Sequence, residues 1–201
     1  MTAPDPPSDI ELLRAIAAGD VPAMGVLYDR YCATAFPIAL RIVRDRGEAE
    51  DVLHDAFVAV RERAAQYTPE RGSVVAWLVT LVRNLAIDRT RRRVRRGEIA
   101  RDVVAHEPPA SARDPERLTS EAEGRVKVRR ALARLPEAQR QTLEVAFFEG
   151  LSYPEIAERE GVPLGTIKSR AARALSALRE ALAEEGVDIE AVAREAPRTS
   201  A

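Results

Sequence analysis

The chain has 201 residues, a formal net charge of −1 and one cysteine, so it cannot form an intramolecular disulfide. Two histidines and that cysteine are too few for a His/Cys zinc cluster, and the near-zero net charge excludes a uniformly basic nucleic-acid coat. Aromatic residues at 4% and charged residues at 31% favour packed helices over a sheet.

The first eight residues, MTAPDPPS, are polar and rich in proline, which predicts a disordered segment over residues 1–8. They lack the apolar core of a signal peptide. No apolar run in the chain approaches the ~20 residues that cross a bilayer. We therefore expect a cytoplasmic protein without direct membrane insertion.

Two helices are predicted in the next part of the chain. Ser8 or Asp9 can cap the first, whose apolar positions share one helical face. Asp20 is a suitable N-cap for the second. The apolar stripe of that second helix consists of Met24, Leu27, Tyr28 and Tyr31. Pro37 falls inside the helix and predicts a kink, and residues 45–47 predict a turn.

The following helix, over about residues 48–64, has two faces. One is apolar and is expected to be buried: Ala49, Val52, Leu53, Ala56 and Val60. The other is acidic and carries Asp51, His54, Asp55 and Val58. Three interpretations of this acidic face remain open. It is a docking surface for a protein that contributes Arg or Lys, a solvated face without a partner, or part of a metal-dependent hydrolase site that takes further ligands from elsewhere.

A short loop over residues 68–73 precedes a helix that runs from about residue 74 into an Arg-rich segment. Its expected core stripe is Val74, Trp77, Leu78, Leu81, Val82 and Leu85. Its other side carries Thr80, Asn84, Ile87, Asp88 and Arg91. Residues 83–96 hold seven arginines against one aspartate, whereas residues 47–60 hold four acids and no Lys or Arg. This asymmetry predicts different faces for different partners. Contact with unpaired bases is an alternative to a core position for Trp77.

The segment over residues 97–122 has three prolines and few large apolar residues, which is typical of a flexible linker. No segment of the chain shows a convincing strand period. The expected fold class is therefore all-α, with two small helical domains over residues 9–96 and 123–183 joined by the linker. The helices of the second domain are expected near residues 123–134, 137–149, 153–160 and 164–183, followed by an acidic tail over 184–201.

Residues 152–179 predict a helix-turn-helix. Ser152 and Glu155 form a capping box, and Gly161 supplies a turn with positive φ. No Asp or Glu occurs from residue 161 to 179. This favours a second helix that contacts base edges and phosphates in a major groove over the alternative, a surface helix that is merely basic. Its expected buried stripe is Ile167, Ala171, Ala174, Leu175, Leu178 and Leu182. Its opposite face carries Thr166, Ser169, Arg170 and Arg173, with Lys168 as a further cation.

In these segments the sequence resembles the extracytoplasmic-function (ECF) sigma factors, the small two-domain group of the sigma-70 family. The motif W-L-x-x-x-x-R-N-L-A-I-D-R begins at Trp77, and the lead-in LP-x-x-x-R begins at Leu135, ahead of the helix-turn-helix. The resemblance implies a sigma region 2 bundle over residues 9–96 and a sigma region 4 helix-turn-helix domain over 123–183. It also implies a protein without catalytic residues, metal or cofactor that directs core RNA polymerase to specific promoters and assists promoter melting.

The resemblance further implies where each partner binds. The acidic face with Asp51, His54, Asp55 and Val58 is similar to the surface that docks on the clamp helices of the polymerase largest subunit. The residues expected at the promoter −10 element are Arg71, Trp77, Asn84, Asp88, Arg91 and Arg92. Those expected at the −35 element are Thr166, Lys168, Ser169, Arg170 and Arg173. Family members are typically held by an anti-sigma factor, which we expect as a further partner.

Two alternatives to this interpretation remain. The first is a stand-alone helix-turn-helix transcriptional regulator, which binds promoter duplex by itself and needs no polymerase. The second is the metal-dependent hydrolase that uses the acidic face.

Overall fold

The structure of the protein is a computed structural model that describes residues 6–97 and 117–187, except for the side chains of Arg71, Arg125 and residues 117–122. Every regular element in these two ranges is helical, which confirms the expected all-α fold class. The chain divides into two compact units, and the two ranges are their described parts. The predictions for residues 1–5, for the linker over 98–116 and for the tail over 188–201 lie outside the described residues.

The N-terminal unit is a bundle of four helices in which the second is central. That helix, α2, packs against the other three, and the third also packs against the fourth. Short 3-10 turns at Ala64–Gln66 and Pro69–Arg71 connect α3 to α4. The helices are α1 (Asp9–Ala17), α2 (Val21–Val43), α3 (Arg46–Arg63) and α4 (Val74–Arg95).

The predicted helix starts in this unit are confirmed at two positions. Ser8 caps α1 in a capping box, in which its backbone N–H donates to Glu11 Oε2 at 2.7 Å. Asp20 caps α2 by accepting from the N–H of Ala23 at 3.2 Å. The helix continues through Pro37 to Val43, so the proline does not end it.

The predicted turn over residues 45–47 is displaced towards the N-terminus. Arg44 ends α2 with a φ of 60°, and Asp45 already caps α3 by accepting from the N–H of Glu48 at 2.8 Å. Gly47 therefore lies within α3 and not in the turn. The left-handed conformation that the turn needs is taken by Arg44, a residue that rarely adopts it, which is why the sequence pointed to Gly47 instead.

The core of the N-terminal unit includes the whole predicted apolar face of α3, together with Phe57, which the prediction omitted. Ile87 was placed on the outer side of α4, and this was wrong, because its side chain is only 6% exposed. The reason is that α4 packs against both α2 and α3, so its buried face is wider than one stripe. Tyr28 was predicted in the apolar stripe of α2 but is 41% exposed, and its ring packs against that of Phe57.

The C-terminal unit places its longest helix against the other three. The helices are α5 (Arg117–Ala133), α6 (Glu137–Glu144), α7 (Tyr153–Glu160) and α8 (Leu164–Glu184), and α8 packs on α5, α6 and α7. Two bounds differ from the predictions by more than one residue. The fifth helix begins six residues earlier than the predicted residue 123, and the predicted helix over 137–149 changes at Val145–Glu149 into a π-helical turn.

Leu175 was predicted in the buried stripe of α8 but is 48% exposed. The buried positions of this helix are Ile167, Ala171, Ala174 and Ala181, which form a strip only one residue wide. The neighbouring helices cover this 21-residue helix only along that strip, and Leu175, which follows Ala174, lies just beside it. The predicted positions Leu178 and Leu182 are half-buried.

Candidate nucleic-acid interface

The helix-turn-helix is built from α7, a three-residue turn over residues 161–163 and α8. Ser152 and Glu155 form the predicted capping box at the start of α7. Gly161 ends that helix with a φ of 65°, a conformation that favours glycine, and the N–H of Val162 returns to Ala157 O at 3.1 Å. The buried residues Ile156, Ala157 and Ile167 form the core that fixes the angle between the two helices.

The N-terminal half of α8 presents the polar residues that the sequence assigned to DNA. Lys168, Ser169 and Arg173 are exposed, while Thr166 and Arg170 are half-buried. Three of them are joined by hydrogen bonds along the helix. Ser169 Oγ donates to Thr166 O at 3.0 Å, and Arg173 donates from Nε to Ser169 O at 3.2 Å and from Nη2 to Ser169 Oγ at 3.2 Å.

A carboxylate does bind this cationic face, although residues 161–179 contain no Asp or Glu. Arg170 Nη1 donates to Oε2 of Glu160 at 2.7 Å. The prediction counted acids only from residue 161 onwards, and Glu160 is the last residue of α7. The contact spans the turn between two helices, so the periodicity of one helix could not indicate it.

The acidic face of α3 divides into a paired part and an outer part. Asp51 Oδ2 accepts from Arg89 Nη2 of α4 at 2.7 Å, and Glu48 Oε2 accepts from Arg93 Nη1 at 2.7 Å. His54 and Asp55 are exposed, and Val58 is half-buried. The acidic segment and the Arg-rich segment were predicted to face different partners. In the structure their adjoining edges bind one another, and the side that includes Asp55 lies beyond those pairs.

The metal-dependent hydrolase was considered because of this same face. Within residues 6–97 and 117–187, no group of three or more His, Cys, Asp or Glu side chains could hold a metal ion. The described part of the chain thus gives the hydrolase alternative no site. Among the helices described there, none is both long enough and apolar enough to cross a membrane.

The residues assigned to the −10 element lie on and before α4. Asn84, Asp88, Arg91 and Arg92 are exposed. Arg83 Nη1 donates to Asn84 Oδ1 at 3.0 Å, and burial, followed by the charge of Arg91, holds the pKa of the Arg83 guanidinium below its usual value. An arginine in this environment still remains charged at neutral pH. The side chain of Arg71 lies outside the described residues.

Trp77 is half-buried and lies at the edge of the 68–73 loop. Its ring packs against that of Tyr67, with 5.5 Å between the centroids. The Tyr67 hydroxyl donates to Gly72 O at 2.5 Å, which connects the two ends of the loop. Gly72 has a φ of 123°, a conformation open to glycine and strained for other residues. Tyr67 was missed by the sequence analysis because it follows the periodic part of α3.

Comparison with known proteins agrees with this architecture. The family described as sigma-70 region 2 matches residues 27–96, and the family described as sigma-70, region 4 matches residues 125–178. The chain is 35% identical over 195 residues to the ECF RNA polymerase sigma factor SigK of Mycobacterium ulcerans, which covers 90% of this chain and 98% of that protein. It is 34% identical to SigK of Mycolicibacterium vanbaalenii, over 85% of this chain and 87% of the relative.

Solved structures with a similar chain include two complexes with other proteins. SigE of Rhodobacter sphaeroides in complex with the anti-sigma ChrR gives a TM-score of 0.43 at 32% identity, over 86% of this chain and 99% of that one. CnrH in complex with the cytosolic domain of CnrY gives a TM-score of 0.40 at 24% identity, over 88% and 97%. Because both superpositions are loose, the family assignment depends on the sequence matches.

Two sigma-70 regions in the order 2 then 4, matched over residues 27–96 and 125–178 of a 201-residue chain, define the class: a small sigma factor of the sigma-70 family. Within that class the chain belongs to the ECF group, since relatives of that group match it over nearly their whole length. It directs core RNA polymerase to specific promoters and assists their melting, and nothing in the matches supports the stand-alone regulator. Sigma factors are initiation factors, not enzymes.

Proposed function

We propose that the two units of this sigma factor divide promoter recognition between them. The N-terminal unit binds polymerase through α3 and engages the −10 element through α4 and the 68–73 loop. The C-terminal unit reads the −35 element as duplex through α8. The observation that carries this proposal is the exposed polar and cationic face at the start of α8, presented by a helix-turn-helix whose residues match sigma-70 region 4.

On α8 we assign different tasks to the side chains by their chemistry and their exposure. Lys168 and Arg173 are exposed and suit phosphates, which supply most of the affinity and make it dependent on salt. The half-buried Thr166 and Arg170 and the short hydroxyl side chain of Ser169 suit base edges, where arginine can contact guanine through two parallel hydrogen bonds.

On α3 we assign polymerase docking to the outer part of the acidic face. Asp55 and His54 are exposed, and the half-buried Val58 adds an apolar contact one turn further on. An acidic surface with an apolar patch is complementary to a partner helix pair that carries Arg or Lys. The clamp helices of the polymerase largest subunit are the partner we propose for it.

On α4 we assign the exposed residues Asn84, Asp88, Arg91 and Arg92 to the −10 element, together with Trp77 and Arg71. Arginines neutralise phosphates of the separated strand, while aromatic and polar groups near the loop offset the stacking lost by an extruded base. We further propose that the protein acts in the cytoplasm, where polymerase and chromosome are, and that an anti-sigma factor regulates it.

Transcription with purified core polymerase on a library of genomic fragments tests the proposed function. We expect the holoenzyme to start transcripts at sites that share two elements, spaced about two to three DNA turns apart. In a footprinting assay, the chain alone is expected not to protect the same promoters from nuclease cleavage as the holoenzyme does. Tight binding to promoter duplex by the chain alone, with no contribution from polymerase, would instead support the stand-alone regulator.

The loop that carries the −10 contacts gives a second test. We expect Tyr67→Phe to reduce promoter opening about 2- to 10-fold, because it removes the hydrogen bond to Gly72 O, worth about 0.5–1.5 kcal/mol, and keeps the ring against Trp77. Opening is measured by permanganate reactivity of thymines in the −10 element.

Tyr28→Phe is the control for this substitution, since Tyr28 lies on α2 with its ring against Phe57. Binding of Tyr67→Phe to core polymerase is expected to stay unchanged. Equal opening by the Tyr67→Phe and wild-type proteins would remove the loop closure from the mechanism.

A further inference from the structure

The contact between Glu160 and Arg170 is the one place where the DNA-facing residues of α8 are held by another described helix. Arg170 Nη1 lies 2.7 Å from Glu160 Oε2, and the two side chains are 24% and 29% exposed. Lys168 extends into solvent, and Arg173 bonds only to its own helix through Ser169. Arg170 is therefore oriented across the turn of the helix-turn-helix.

Holding Nη1 in this way leaves part of the arginine available. A guanidinium has five N–H donors in a rigid plane, and the contact with Glu160 uses one of them. The remaining donors on Nη2 and Nε still form a pair that matches two acceptors on a base edge. Fixing the plane of the group decides in advance which base edge those donors can reach.

The Glu160 carboxylate also lowers the affinity of α8 for DNA of any sequence. Glu160 adds a negative charge beside the face that approaches DNA, and this charge repels phosphates at every sequence. It reduces the net positive charge near Arg170 that attracts non-specific DNA. On such DNA the fixed orientation of Arg170 gains no hydrogen bond to a base edge. A bound and oriented arginine thus favours specificity over affinity.

We propose that Glu160 is a specificity-determining positioning residue, which orients Arg170 for one base pair of the −35 element and weakens binding to DNA that lacks it. This rests on the proposed function of α8. It assigns to Glu160 a role in DNA reading although Glu160 lies in α7, before the recognition helix begins.

The experiment compares holoenzymes on a promoter found by mapping start sites and on templates with single base-pair changes in its −35 element. Glu160→Ala removes charge and acceptor together, whereas Glu160→Gln removes the charge and keeps an acceptor oxygen at the same place. Glu158→Ala is the matched control, because it removes an exposed carboxylate from the same helix. Arg170→Ala identifies the base pair that Arg170 reads.

We expect Arg170→Ala to lower discrimination at one base pair at least about 5-fold. Glu160→Ala is expected to lower discrimination at that same base pair while binding to DNA without the element increases and depends more steeply on salt. Glu160→Gln is expected to lie between Glu160→Ala and wild type. In the Arg170→Ala background, Glu160→Ala is expected to change discrimination no further.

The outcomes separate this inference from the function it rests on. If Arg170→Ala leaves discrimination unchanged at every base pair, Arg170 reads no base, so the inference fails while the proposed function loses only this one contact. If Arg170→Ala acts as expected and Glu160→Ala does not alter discrimination, only the role of Glu160 is wrong. The role is also wrong if Glu160→Ala, Glu160→Gln and Glu158→Ala all raise binding to every template equally, since Glu160 is then a repulsive charge alone.

Discussion

The Asp55→Arg variant is expected to lose stable binding to core RNA polymerase, with an affinity lower by on the order of 100-fold, or about 3 kcal/mol. Asp55 is exposed on the outer part of the acidic face of α3, where a cationic partner can reach it. Reversing its charge removes one attractive pair and places a cation against the partner's cations. Affinity for the purified core enzyme is measured by fluorescence anisotropy of a labelled sigma factor.

Asp55 is a sharper test than Asp51, although both were assigned to docking. Asp51 binds Arg89 of α4 at 2.7 Å, so its reversal would also break a contact within the protein. Asp29→Arg is the control, because it makes the same change of charge at an exposed position on α2. Normal core affinity of the Asp55→Arg protein, with its helix content retained, would remove α3 from the docking surface.

Most helix ends could be predicted because short-range chemistry determines them. Ser8, Asp20 and Ser152 each accept a hydrogen bond from an N–H three residues on, and such a pattern is visible in the sequence. The turn at Gly161 could be predicted for a similar reason, because its left-handed conformation disfavours most other residues. The turn at Arg44 shows the limit, since there a residue with a Cβ takes the conformation that glycine usually takes.

Burial was harder to predict than helix position, because it depends on where the neighbouring helices lie against each helix. Ile87 is buried because α4 packs against two other helices, and Leu175 is exposed because α8 is covered only along a narrow strip. The periodic pattern placed Ile87 outside the apolar stripe of α4 and Leu175 inside that of α8, so periodicity alone misplaced both. Where the neighbouring helices lie is a tertiary property.

In the candidate site, the sequence indicated which residues carry suitable chemistry but not which of them bind each other. The acidic face of α3 and the polar face of α8 were both recognised from spacing. The pairs Asp51–Arg89 and Glu160–Arg170 were not, because each joins two helices. These pairs change the interpretation, since they show which charges are already engaged within the protein.

The Ile167→Ala variant is expected to lose −35 recognition through the stability of the C-terminal unit, not through DNA contacts. Ile167 is fully buried against Ile156 and Ala157, and truncating such an isoleucine costs about 2–5 kcal/mol. A unit of this size has a total stability of roughly 3–10 kcal/mol, so much of it is removed. The loss is measured as faster amide hydrogen exchange in α7 and α8.

Leu175→Ala is the matched control, because it truncates an apolar side chain of similar size on the same helix at a position that is 48% exposed. It is expected to cost less than about 1 kcal/mol, since little buried volume is lost.

Amide hydrogen exchange in α2 and α4 is expected to be unchanged in both variants, as the N-terminal unit has its own core. Ile167→Ala should then bind core polymerase normally while losing promoters that depend on the −35 element. Equal destabilisation by the two substitutions would contradict the narrow buried strip of α8, and weakened core binding by Ile167→Ala would contradict the division of labour between the units.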